Sequence, residues 1–566
     1  MTTMIMMMIT IKVINSIMIK IEFVFTLFKG NQKFIYIMCG IFAYLGLSNK
    51  ELKSYAHKIQ HRGPDNSISK LIKKNLYFHF HRLKINGLDN ESNQPFNING
   101  VWLICNGEIY NFRTLNSLNS FDYKTHSDCE IIIHMYLRYG MEKTCQMLDG
   151  VFAFVLYDEN KDIVFVARDH LGIRPLYIGR DENENIAFAS EAKALTFMNS
   201  IKQFPPRNFW NSKTNTFQTY YTFTNSLIYD NEEKVCNLIR YYLTEATRKR
   251  FTMADVEVGC LLSGGLDSSL ITSICSRFLD TPKKLKTFSI GLKGSPDLKN
   301  AQVVADYIGT NHYSYEVSED EFLKAIDETI YCLGTYDITT IRASVGHMLI
   351  SRYVRRDTDV KVLFSGEVAD ELGSYLYFMN APSEDAYQKE CIRLLNDIHY
   401  FDGLRSDRSI SFAGIESRVP FSDKDFLEYY LSINPKLKMF NNDRIEKYLI
   451  RQAFAKYSYL PDSVLWRRKN GFSDSVSSKE RSWSVIIAEH IDTLITDDEY
   501  QTESIKYRHN TPKSKEAYYY RKKFREYYNE NGTRYHDNLT PYMWLPKWCG
   551  DVSDPSARVL NIYKAD

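Results

Sequence analysis

The run Val256 to Leu262 (VEVGCLL) is apolar and β-branched, and it passes straight into Ser263-Gly264-Gly265-Leu266-Asp267-Ser268-Ser269. From Leu266 to Phe278 the apolar residues then recur at helical spacing. A buried strand that ends in a glycine loop at the mouth of a helix belongs in a parallel sheet with helices on its faces. It also makes an anion site. Glycines let the backbone approach closely, and the helix N-terminus supplies free N–H groups and the positive end of a dipole. Ser263, Ser268 and Ser269 add hydroxyl donors, and Asp267 can help hold Mg²⁺ against phosphates. No Gly-Lys-Ser/Thr follows, so the loop is not a Walker A motif. A glycine-rich turn without a ligand is the weaker reading in this context.

The rest of the second half supports a parallel sheet. Long helical patterns from about Asn231 alternate with the short runs Lys286 to Leu292 and Val360 to Phe364. Before that the pattern is strand-rich: Val101 to Cys105, Val151 to Tyr157, Ile163 to Ala167 and Ile186 to Ala189 read as strands punctuated by Gly, Asn and Asp. Asp128 to Tyr139 reads as a helix with Ser127 as its N-cap. At 566 residues the chain exceeds one compact core. Three segments are expected: a leader over 1–38, absent from or removed in the mature protein; a domain over 39–225; and a domain over 231–566. The basic and aromatic run Lys513 to Arg525 reads as a solvated helix face rather than a nucleic-acid site.

The leader is rich in Met and Ile, but Lys12, Lys20, Glu22, Lys29 and Lys33 keep it short of the roughly 18 uncharged residues of a spanning helix. It ends at Met38-Cys39-Gly40-Ile41-Phe42. An unused upstream start, a cleaved propeptide and a retained interfacial segment are the three readings. The first is favoured, because removal of an initiator Met38 leaves Cys39 at the amino terminus. A terminal Cys carries its own base, the α-amine beside its thiol. The other cysteines of the ten are scattered without a CxxC pair and read as small buried residues in a reducing, cytoplasmic compartment. A net charge of +2 gives no electrostatic case for nucleic acid or an anionic membrane as partner.

The motifs MCGIF, His61-Arg62-Gly63-Pro64-Asp65, His81-Arg82-Leu83, NGEIYN (106–111), Ser127-Asp128-Cys129-Glu130 and Arg168-Asp169-His170-Leu171-Gly172 occur in one order. In that order they resemble the class II glutamine amidotransferases, which implies an N-terminal-nucleophile αββα sandwich. The SGGLDSS loop resembles that of the N-type ATP pyrophosphatases. Joined, the halves resemble the glutamine-hydrolysing asparagine synthetases, from Met38 nearly to the end of the chain. YDITTIRAS (336–344), ESRVPF (416–421) and WRRKNGFSD (466–474) add to that resemblance.

The resemblance implies roles. Cys39 is the nucleophile that frees ammonia from glutamine, with Asn106 and Gly107 as oxyanion donors. Arg82 to Asn86 (Arg82, Leu83, Lys84, Ile85, Asn86), Glu108 and Asp128 complete the glutamine pocket, Arg82 as a fork for the α-carboxylate. ATP contacts Leu262, Ser263, Gly264, Gly265, Asp267, Ser268, Ile290, Ser365 and Gly366. Thr339, Thr340 and Arg342 lie on the aspartate and phosphate side. Glu367 and Lys469 support adenylate chemistry, and Asp267 and Asp370 are the metal ligands. The implied substrates are glutamine, aspartate and ATP with Mg²⁺, and a homodimer is a candidate assembly.

The chain also departs from the family. Val368 and Ala369 replace Gly and Ser in Ser365-Gly366-Glu367-Val368-Ala369-Asp370, and the following turn is one residue short. A β-branched residue there matters if the position needs φ > 0. His126 for Gly, Lys84-Ile85-Asn86-Gly87 for a more apolar run, and Ser475 for Gly are milder. A ligase for another carboxylate, or a synthetase-impaired glutaminase or scaffold, are the alternatives.

Overall fold

A computed structural model describes residues 39–550 apart from 48–50, 64, 225, 442–443, 470, 472–474, 479 and 531–533. The expectations for the leader 1–38, and residues 470 and 472–474 of WRRKNGFSD, lie outside the described residues.

Residues 40–219 form two six-stranded sheets. The first runs Ser200–Gln203, Tyr177–Arg180, Ile186–Ala189, Gly40–Leu45, Leu76–Arg82, Asn66–Lys73; the second runs Thr216–Thr219, Asn208–Asn211, Ile163–Arg168, Gly150–Asp158, Val101–Ile109, Phe96–Ile98. The pairings with a defined register are antiparallel. Side chains alternate across a pleated strand, so each strand can feed two cores. In Gly40–Leu45, Ile41 and Ala43 join Phe78, Phe80 and Phe188 from their own sheet and Ile104, Ala153, Val155 and Val166 from the other, in one core between the sheets. Phe42 and Tyr44 face the opposite way, into a second cluster. The outer face of the second sheet is covered by Leu115, Ile132, Met135 and Cys145 from the helices Phe112–Asn119 and Ile131–Met147. This is the expected αββα sandwich.

The third sheet is wholly parallel, in the order Asn311–Val317, Lys286–Leu292, Val258–Leu261, Val362–Phe364, Glu416–Arg418. Cys260, Val362 and Phe364 pack with Leu270 and Ile274 of the helix Leu266–Ser276; Leu261, Phe288 and Leu363 pack with Ile341, Val345 and Met348 of the helix Ile338–Asp357. Its central strand, Val258–Leu261, is also the first in sequence; the next strand, Lys286–Leu292, lies on one side of it and the later Val362–Phe364 on the other. That is a topological switch point, where a crevice opens at the strands' carboxyl ends.

Two expectations need correction. Asp128 to Tyr139 is not one helix: a 3₁₀ turn over Asp128–Glu130, capped by Ser127 Oγ accepting from Cys129 N–H at 3.3 Å, precedes the helix Ile131–Met147, which kinks at Gly140. The run from Lys513 is a helix over Lys515–Tyr527, but Tyr520, Arg521 and Phe524 are fully buried, so only part of its surface is solvated. Its aromatic spacing is that of a packing stripe.

Candidate functional site

The parallel sheet carries one candidate site. A cavity of about 240 Å³ opens at the switch point, lined among others by Leu262, Ser263, Gly265, Asp267, Ser268, Ile290, Thr339, Ser365, Gly366, Glu367, Asp370 and Lys469. The loop folds as its glycines demand. Gly264 has φ +71°, and a Cβ there would stand 2.4 Å from the Asn300 carbonyl carbon. Ser268 Oγ closes the turn by accepting from Ser263 N–H at 3.2 Å. At Gly366 a Cβ would lie 2.6 Å from the Ser268 amide nitrogen, so only glycine lets the second loop reach the helix mouth.

The charges in this cavity are paired. Lys447 Nζ joins both Asp267 and Asp370, at 2.6 Å from Asp370 Oδ1, and Lys469 Nζ takes the other Asp370 oxygen. Burial alone would raise Asp370, but the Lys447 and Lys469 ammonium groups outweigh it and hold the carboxyl well below its usual range. Burial pushes Glu367 up to about 7, although Arg405 donates to it. Asp267 Oδ1 and Ser365 Oγ are buried without a hydrogen-bond partner among the described residues.

Val368 adopts φ +76° and is 1 % exposed. The backbone at that position therefore has the left-handed geometry that glycine tolerates and a β-branched residue resists.

The other candidate site lies at the start of the strand Gly40–Leu45. Cys39 Sγ accepts from Leu83 N–H at 3.3 Å. Burial pushes the thiol up to about 12, against the Leu83 hydrogen bond, and Glu108 nearby raises it further. Asn106 sits on the strand Val101–Ile109 with its Nδ2 buried and unpartnered among the described residues. Asn86 Nδ2 donates to Glu108. Asp128 accepts from Ile109 N–H at 2.6 Å, and burial raises it to about 6. Glu108 lies well above its usual range through burial first, then through the like charges of Glu416 and Asp128. The site is thus rich in buried acid and holds an idle amide donor.

Some expected residues are placed otherwise. Arg82 donates to the carbonyls of Asp89 (2.6 Å) and Gly87 and to Asn93 Oδ1 (2.7 Å), so its fork is used within the loop that follows it. Lys84 and Ile85 reach the loop through their backbones: Lys84 N–H donates to Asp65 at 3.0 Å, and Ile85 C=O accepts from Asp255 N–H at 3.2 Å. Thr340 does not line the cavity; its N–H and Oγ1 donate to Asp337, the cap of its helix, at 2.9 and 2.7 Å. Arg342 likewise points elsewhere, pairing through two nitrogens with Glu516 at 2.8 and 2.6 Å. Conversely, Lys447, Asp402, Arg405 and His347 line the cavity without having been singled out in the sequence. Arg418, inside ESRVPF, reaches Glu108 at 3.3 Å and ties the Cys39 site to the parallel-sheet half.

Comparison with known proteins bears on both halves. The family described as "Glutamine amidotransferase domain" matches residues 38–240, and "Asparagine synthase" matches 238–384 and 373–549. A Rattus norvegicus protein named asparagine synthetase [glutamine-hydrolyzing] is 41% identical over 93% of this chain and 99% of its own length. The Homo sapiens protein of that name is 40% identical over the same shares. A solved glutamine phosphoribosylpyrophosphate amidotransferase from B. subtilis aligns at 18% identity and TM-score 0.29 over 49% of this chain and 65% of its own, too loosely to carry an argument.

Proposed function

The chain belongs to the glutamine-hydrolysing asparagine synthetases, and on that premise we propose how its residues divide the work of making asparagine from aspartate, ATP and glutamine. Cys39 attacks the side-chain amide of glutamine. Its thiol needs a base, which a free α-amine on Cys39 supplies. Asn106 Nδ2, with the Gly107 N–H, receives the oxyanion as the tetrahedral adduct forms. Glu108 and Asp128 attract the α-ammonium of glutamine, whose charge relieves their mutual repulsion. Ammonia leaves, and water releases glutamate from the thioester.

In the cavity, Ser263 to Ser268 hold the phosphates of ATP against the helix mouth. The β-carboxylate of aspartate attacks the α-phosphorus, pyrophosphate leaves, and ammonia then displaces AMP from the β-aspartyl adenylate. Lys469 and Lys447 stabilise the charge that gathers on the phosphates. The carboxylates suit Mg²⁺. Asp267 Oδ1 lacks a partner, and two carboxylates with substrate phosphates are the usual donor set of that ion. When bound it supplies charge neutralisation at the phosphates. Among the described residues no group of three or more His, Cys, Asp and Glu is placed to hold a metal.

One observation carries the reading. A single crevice brings the phosphate loop, Glu367, Asp370 and Lys469 together from segments some 200 residues apart, while Cys39 and an idle amide donor meet in the other half. Cys39 also packs on the apolar cluster that contains Leu83, Ile85, Leu262 and Val368, which supports a water-poor route for ammonia. The ten cysteines are all unpaired, in keeping with a reducing cytoplasm. No helix among the described residues is long and apolar enough to cross a membrane. Purified protein given glutamine, aspartate, ATP and Mg²⁺ should yield asparagine and pyrophosphate in equal amounts; glutamate without asparagine, under those conditions or with added ammonia, would overturn the synthetase assignment.

A further inference from the structure

The ten-residue helix Asp402–Ser411 stands between the two sites and touches both. On one side Asp402 and Arg405 line the cavity; Arg405 donates to Glu367 and, at 2.6 Å, to Asp402. On the other side Asp407 grips the guanidinium of Arg62 at 2.8 and 3.1 Å, and Ser411 Oγ accepts from the same group at 3.1 Å. Arg405 and Asp407 are two residues apart, hence about 200° around the helix axis, which is why one helix can face both ways.

What Arg62 holds gives the contact its meaning. It is fully buried, and its Nε donates to the carbonyl of Cys39 at 3.1 Å. A second path runs parallel. Arg408 donates to the Ser190 carbonyl at 3.2 Å, and Ser190 Oγ accepts from Ile41 N–H at 3.0 Å. The same helix therefore fixes, through one intermediate on each path, the peptide groups on both sides of Gly40. Those groups set the direction in which the Cys39 side chain leaves the strand. The links are hydrogen bonds among buried and half-buried groups, several of them ionic, so a shift at one end has little slack to disappear into.

We propose that the helix Asp402–Ser411 couples the two sites: ligands that engage Arg405 or Glu367 in the cavity reset the helix, and Asp407, as a positioning residue, passes that change through Arg62 to Cys39. The inference rests on the proposed reading of the cavity as the ATP and aspartate site. Its consequence is that glutamine is hydrolysed faster when the acceptor for ammonia is in place.

Two measurements test it. In the first, glutamate release is measured with and without aspartate plus α,β-methylene-ATP and Mg²⁺, an analogue whose scissile bond is blocked. In the unaltered protein kcat/KM should rise on the order of fivefold. In Asp407→Asn the ratio should fall to about one, while ammonia-dependent synthesis stays within about twofold. A merely structural loss would lower both rates and leave the ratio; an unchanged ratio in the variant, or a ratio of one in the unaltered protein, overturns the coupling. The second needs no variant. The alkylation rate of Cys39 by iodoacetamide, read by peptide mass spectrometry, should change severalfold when the same ligands are added, and an unchanged rate overturns the proposal even if Asp407→Asn fails to fold. Absence of asparagine synthesis from ammonia would instead remove the reading of the cavity, a result separable from either ratio.

Discussion

The two reacting sites handle charge in opposite ways. Around Cys39 the buried carboxyls of Glu108 and Asp128 are raised, and the repulsion of Glu416 adds to the effect of burial. In the cavity Asp370 is lowered, because Lys447 and Lys469 are already bound to it. In the first site Arg418 lies 3.3 Å from Glu108, yet burial and like charge still keep that acid raised. In the second, Lys447 and Lys469 already hold Asp370. The surroundings of Cys39 thus disfavour carboxylate charge, and those of Asp370 favour it.

That contrast is sharpest where one site can be disabled alone. Cys39→Ala should lower glutamine-dependent synthesis by more than about 10³-fold while leaving ammonia-dependent synthesis within about twofold, since only the thioester route is lost. Retained glutamine use at the normal rate would remove Cys39 as nucleophile. Asp267→Ala should lower pyrophosphate release by about 10²-fold or more and leave intact the glutamate release measured without aspartate and nucleotide; the reverse pattern would break the division between the sites. Asn106→Ala should cut kcat for glutamine hydrolysis about 10²-fold with a smaller effect on KM, because the amide acts on the oxyanion rather than on the bound substrate. A change confined to KM would move Asn106 into the binding pocket.

The charge comparison also predicts stability. The Asp128 carboxyl is raised in the folded state, to about 6, so its protonated form favours folding. That contribution is complete below the unfolded carboxyl range and is lost as pH rises to about 6. Asp128→Asn should therefore stabilise the protein at pH 7 by about 2 kcal/mol, a gain that shrinks as pH falls toward 4, while glutamine binding weakens. Urea titrations at both pH values check the sign. The smallest effect is expected at Val368. Substitution by Gly relieves roughly 1–3 kcal/mol of left-handed strain and gives up about as much buried side chain, leaving the urea midpoint nearly unchanged. A loss above about 3 kcal/mol would mean that the valine is comfortable there.

The parts of the protein readable in the sequence are those whose cause is local. The loop at Ser263 to Ser268 announces itself because strand, glycines and helix are contiguous, and Ser127 reads as a cap for the same reason. Val368 was legible as a conditional, and its backbone angle fulfils the condition. Lys447 was not legible: its partner Asp267 lies 180 residues earlier, and an isolated lysine carries no trace of the carboxylates it will meet. Arg342 shows the converse. Its motif drew attention to it, but its helix turns it toward Glu516, a residue no local pattern connects with it. Arg62 stood inside a recognised motif, yet its bond to Asp407 spans 345 positions and appears only in the fold.

The strand Gly40–Leu45 has a consequence for the order of synthesis. Its Ile41 and Ala43 are covered by sheets that are complete by residue 219, but Phe42 and Tyr44 share their apolar cluster with Ile341, Val345 and Met348. During translation the amino-terminal sandwich emerges first, and at a ribosomal pace of about 5–20 residues per second it waits several seconds with Phe42 and Tyr44 packed on its own Phe197 but with the later part of that cluster still unmade. The nascent chain in that interval is a half-finished protein with an exposed greasy surface, the kind of surface molecular chaperones bind.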